Sequence, residues 1–127
     1  MSPAPSGDVL DQGVLDALRA FGRDPGKLLA EMVRDFVLEA PSLVTAIGRA
    51  VEHDDHEAAA RAAHRLKGMS GHIGARRLAM VAGEIESSAG TNLVHANATA
   101  VALVCTELEL AASAASDLCA GYDYSLG

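Results

Sequence analysis

At 127 residues, half of them hydrophobic, the chain suffices for one domain around one core. A formal net charge of −7 argues against nucleic acid or an anionic membrane surface as partner, because phosphate-bearing surfaces repel an acidic protein. No apolar run approaches the ~20 residues of a membrane span, and the first residues lack the basic head and apolar stretch of a signal peptide, so a cytoplasmic protein is expected.

Met1 to Gly7, rich in Pro, Ser and Gly, reads as a disordered N-terminal tail, with the domain over 8–120 and a C-terminal tail over 121–127. A first helix is expected from Asp8 to Phe21 on the stripe Val9, Leu10, Val14, Leu15 and Leu18, ended by Gly22. Asp24 is placed to cap a second helix, with Pro25 at its first position. That helix carries apolar residues from Leu28 to Val51, and Pro41 predicts a kink or a break into two shorter helices. Asp54 followed by Glu57 suggests a capping box for a third helix running to about Gly71. Gly74 precedes a fourth helix using Leu78, Val81, Ala82 and Ile85; Gly90-Thr91-Asn92 separates it from a fifth, Leu93 to about Leu118. No alternation of strand type occurs. Short connections between long amphipathic helices imply an all-α protein, an antiparallel up-down four-helix bundle with an additional short N-terminal helix. Cys105 and Cys119 lie fourteen residues apart on the last helix, about 21 Å, too far for a disulfide.

The third helix carries the chemistry. At about 100° per residue, Ala59, Ala62, Ala63, Met69, Ser70 and Ile73 fall within about 60° of Leu66, a small and apolar stripe for the core. His64 falls about 160° from Leu66 and so points to solvent. Lys67 follows three residues on, close enough to share an anion with the imidazole. Ala60, Gly68 and Gly71 share the histidine's face, and each glycine costs about 1 kcal/mol relative to alanine within a helix. Such a bare surface suits close approach by another molecule. Neutral imidazole is nucleophilic near pH 7, so an exposed ring beside an ammonium fits a phosphoryl acceptor. Arg61, Arg65, Arg76 and Arg77 join Lys67 to put five of the ten basic residues in one stretch, and Arg61, Arg65 and outward residues of the second helix are expected to rim the docking surface.

Ala63-His64-Arg65-Leu66-Lys67-Gly68-Met69-Ser70-Gly71-His72-Ile73-Gly74-Ala75 resembles the motif of the histidine-containing phosphotransfer (HPt) domains of multistep two-component phosphorelays. Their pattern is Ala-His-x-Leu-Lys-Gly, two small residues, two of any kind, Ile or Leu, then Gly-Ala; Met69 departs from it. Leu78, Val81, Ala82, Ile85 and Glu86 fit the family's next helix, and Phe36, Pro41, Leu43 and Ile47 its preceding one. The resemblance implies that His64 is phosphorylated, that Lys67 balances phosphoryl charge and that Gly68 gives access to the partner. It implies response-regulator receiver domains and a hybrid or cognate histidine kinase as partners, and no cofactor of the chain's own, Mg²⁺ being supplied by the receiver. It also implies a phosphocarrier rather than an enzyme. No glycine-rich nucleotide loop is present for autophosphorylation, and the His-Glu-x-x-x-Pro pattern of kinase dimerisation helices is missing, so a monomer is expected.

Two other readings stand beside this one. A helical adaptor of the same fold would dock a receiver or kinase without carrying phosphate. A metal-binding helical bundle would use His53, His56, His64, His72 or His95, though no complete ligand set is visible. Glu84 and Glu86, two apart on a helix, point different ways and read as structural or solvating residues.

Overall fold

The computed structural model describes residues 9–24, 26–89 and 93–119, and for 93–98 and 119 the backbone only. Within these, five helices account for the fold and no strand occurs: α1 (Gln12–Ala20), α2 (Lys27–Glu52), α3 (His56–His72), α4 (Arg76–Ser88) and α5 (Leu93–Cys119). The two tails, Pro25, the Gly90-Thr91-Asn92 break and the side chain of His95 lie outside the described residues.

Helix starts follow local hydrogen bonding, and three differ from expectation. Helix α1 begins at Gln12 rather than near Asp8, because the Asp11 carboxylate accepts from the backbone N–H of Gly13 at 2.8 Å and of Val14 at 3.3 Å. Asp24 does not cap α2. The cap position is Gly26, at φ +86°, and Asp24 contributes only its carbonyl, which accepts from Lys27 N–H at 3.0 Å. The capping carboxylate of α3 belongs to Asp55, which accepts from Ala58 N–H at 3.1 Å; Asp54 turns the chain one residue earlier at φ +57°. Aspartate tolerates that left-handed geometry better than most side chains.

Pro41 does not divide α2. The helix runs unbroken across it, with Phe36, Ala40, Val44 and Ile47 buried on one side while Pro41 is exposed on the other. A mid-helix proline costs about 3 kcal/mol, and burial of each large apolar side chain returns about 1.5–3 kcal/mol. The stripe therefore outweighs the defect, and the outer side of a helix tolerates a missing N–H best.

Helix α3 packs against α2 and α4, α5 against α2 and α4, and α1 against α2, so the four longer helices enclose a common core. Phe36, Ile47, Leu66, Leu78, Ile85 and Val104 are almost wholly buried there. Ala40, Ala59, Ala63, Ala82 and Ala115 are buried between them, and such short side chains let helix backbones approach closely. Helix α1 is held at the α3–α4 turn. Asp11 N–H donates to Gly74 O at 2.8 Å, and the Asp11 carboxylate pairs with Arg76 at 3.3 Å. Gly74 sits at φ +78°, and a Cβ there would lie 2.9 Å from Asp11 N, so glycine is required twice over.

Thr99–Leu118 within α5 has the length and composition of a membrane span, against the expectation that no segment would. Its buried residues Val104, Glu107, Ala111 and Ala115 form a helical stripe turned to the core.

Candidate functional site

Helix α3 begins at the Asp55 cap and ends at the Gly74 turn, which fixes its rotation. Ala59, Ala62, Ala63, Leu66 and Ser70 face inward, and His64 emerges on the opposite side with 70% of its side chain exposed. The ring is not free at both nitrogens. His64 Nδ1 lies 2.8 Å from Glu86 Oε2 on α4, and Lys67 Nζ lies 2.8 Å from Oε1 of the same carboxylate. Glu86 thus divides its two oxygens between the imidazole and the ammonium.

The Lys67 ammonium holds the Glu86 carboxyl below the usual carboxylate range; burial opposes it, and the His64 contact adds a smaller lowering effect. An ionised Glu86 can only accept, so in the neutral ring Nδ1 carries the proton and donates it. Nε2 is left with its lone pair on an exposed ring, an arrangement able to act as a nucleophile. From the sequence alone Glu86 reads as a structural or solvating residue. Spacing along α4 relates Glu86 to Glu84 only, whereas its partners His64 and Lys67 lie on α3.

Lys67 reaches Glu86 by crossing α4 at Gly83, where a Cβ would stand 3.3 Å from Lys67 Cδ. Gly68 and Gly71 are different: a Cβ at either would meet nothing within 4 Å. Internal packing therefore gives no reason for glycine at these two exposed positions, and the surface beside the ring is open.

The other expected residues divide. Arg65 lies beside His64, its guanidinium bound to Glu39 of α2; the contact holds Glu39 below the usual carboxylate range and raises Arg65. Arg61 turns to Glu57, 3.8 Å away on its own helix. Ala60 is half-buried and packs against a small cluster of Ala50, Ala59 and Ala89, so it is part of the scaffold rather than of the bare surface. The basic cluster of the sequence is dispersed: Arg76 pairs with Asp11 and Arg77 with Glu107.

A groove of about 420 Å³ runs between α2 and α3 alongside the ring, lined by His64, Gly68, Met69, Met32, Asp35 and Glu39 among others. Met69, expected on the inner face, is only half-buried and contributes to this groove. For metal, the described residues hold no group of three or more His, Cys, Asp or Glu side chains suitably placed. His53 is bound to Arg49 O, and His56 to Ala89 O and Asp54.

No curated protein and no solved structure shows a significant match to the sequence. The family model of the Hpt domain does, over residues 31–117, a span that holds α3, α4 and nearly all of α2 and α5. The match covers more than half of the chain and includes the histidine, its lysine and the glutamate between them: the chain belongs to the Hpt domain family.

Proposed function

We propose that the protein is a phosphocarrier of a two-component phosphorelay, accepting a phosphoryl group on His64 from a receiver-domain aspartate and passing it to another receiver. The observation that carries this reading is the exposed ring tied at Nδ1 by Glu86 and bare of bulk at Gly68 and Gly71. In the forward step Nε2 attacks the phosphorus of the receiver's aspartyl phosphate. The bond from phosphorus to the aspartate oxygen breaks as the bond to Nε2 forms, and the carboxylate leaves. The ring keeps its Nδ1 proton and becomes cationic, with Glu86 opposite that charge. Lys67, three residues along the helix, serves the phosphoryl oxygens; the return step reverses each change.

Transfer of this kind depends on positioning and charge balance more than on covalent work by the protein. In this reading Gly68 admits the receiver's active-site loops, and Gly71 and Arg65 lie in the surface it covers. The receiver brings Mg²⁺ and its own acidic pocket, and a hybrid or cognate histidine kinase stands upstream. The chain acts as a cytoplasmic monomer without autokinase activity, its four longer helices forming an antiparallel up-down bundle.

The test is direct. Incubation with receiver domains phosphorylated by acetyl phosphate is expected to give a label on the protein that is acid-labile and base-stable, and absent from His64→Ala. A receiver that binds the wild type without transferring label would identify an adaptor instead.

A further inference from the structure

The groove beside His64 has a composition that the phosphotransfer chemistry does not call for. Its floor includes two methionines, Met32 from α2 and Met69 from α3, both half-buried against the core. Met69 stands where the family motif has a small residue, so this part of the floor is a departure of this chain. The groove's two carboxylates differ. Glu39 is bound to the Arg65 guanidinium, whereas Asp35 is exposed and has no ion-pair partner among the described residues.

We infer that this groove selects the receiver, by seating a receiver helix that places an apolar side chain between Met32 and Met69 and a lysine or arginine against Asp35. The inference rests on the phosphotransfer reading, and three observations support it. His64 and Gly68 themselves line the groove, so a partner that brings an aspartyl phosphate to the ring must lie over it. A cleft between two helices accepts the side-chain ridge of a third, and methionines adapt to the shape they meet. Asp35 supplies the directional element: on a chain of net charge −7 its unpaired carboxylate favours a cation and repels an acidic helix. Met32 and Met69 thus make the site permissive in shape, and Asp35 makes it selective in charge.

The experiment measures transfer from a receiver that labels the wild-type protein, as a function of receiver concentration, together with binding of the same unphosphorylated receiver. Asp35→Lys is expected to raise KM and the dissociation constant together by about threefold to tenfold, and Asp35→Asn by about twofold, the range of surface charge pairs and their reversal. The gap between Asp35→Lys and wild type should narrow as salt rises. Met69→Ala should raise KM by a similar factor through lost apolar contact, and Met69→Leu should restore it; thermal melts of both check that the fold is intact. The effect must fall on KM rather than kcat. An unchanged KM in Asp35→Lys and Met69→Ala, or a loss confined to kcat, overturns the groove proposal while the His64 label leaves phosphotransfer standing. Failure of every receiver tried to bind or label the wild type overturns both.

Discussion

Glu86 offers the sharpest test of the proposed mechanism, because one carboxylate serves two groups at 2.8 Å each. Glu86→Ala removes the acceptor that fixes the imidazole tautomer. A hydrogen bond to a charged group contributes about 1.5–3 kcal/mol when well buried. The Glu86 side chain is 28% exposed, so solvent screening brings the expected loss to about 1.4 kcal/mol, roughly a tenfold slower transfer. Glu86→Gln keeps an amide oxygen to accept from Nδ1–H but drops the ionic attraction, and should slow transfer by about threefold. Lys67→Met leaves Glu86 on the ring, so the Lys67→Met, Glu86→Ala double variant separates the two roles as a mutant cycle. The assay is a single-turnover rate of label appearance at saturating phosphorylated receiver. Nitrogen NMR of the His64 ring in the same variants reports whether Nδ1 holds the proton. A Glu86→Ala protein that transfers within twofold of wild type, with its ring still in the Nδ1–H form, refutes the tautomer argument.

Three further outcomes follow from named contacts. Gly68→Ala should stabilise the protein by about 0.5–1 kcal/mol in urea denaturation, since its Cβ meets nothing, whereas Gly68→Gln should keep helix content by circular dichroism yet slow transfer by obstruction. Gly74→Ala should destabilise by about 2 kcal/mol, from the left-handed φ of +78° and the 2.9 Å approach to Asp11 N, read as a shift in urea midpoint. Glu86 has a folded-state pKa held below the ordinary value of 4.5, so its ion pair contributes stability that is complete above that pH and is lost as pH falls through the lowered value. Glu86→Gln should therefore flatten the fall of stability below pH 4.5, and an unaltered acid limb would contradict the pairing.

Helical periodicity located all five helices, and the inner stripe of α3 placed Leu66, Ser70 and Ile73 correctly because a rigid 3.6-residue repeat carries through from local sequence. Caps were less legible. Asp54 and Asp55 are chemically alike, and only the turn geometry decides which one receives Ala58 N–H. Pro41 announced a kink or a break, and the buried stripe around it overrode the break, a tertiary effect that propensity does not contain. At the site, His64, Lys67 and Gly68 could be read from one helix. Glu86 could not, since its role depends on how α4 packs on α3, twenty-two residues later in the chain. Met69 falls inward by its angle, yet it sits at the edge of the stripe, half-buried in the lining of the groove between α2 and α3.

The bare backbone at Gly83 has a consequence for how the site meets its anion. A lysine stem loose in water loses up to about 2 kcal/mol of rotamer freedom when it is pinned. Here the stem already rests on α4 at Gly83, with its head group on Glu86, so folding has done much of that pinning before any partner arrives. In the proposed transfer, an arriving phosphoryl group needs only a short swing of the ammonium away from its carboxylate. A side chain grown at position 83 would lift the stem from this rest, and the cation would have to find its aim anew in every encounter.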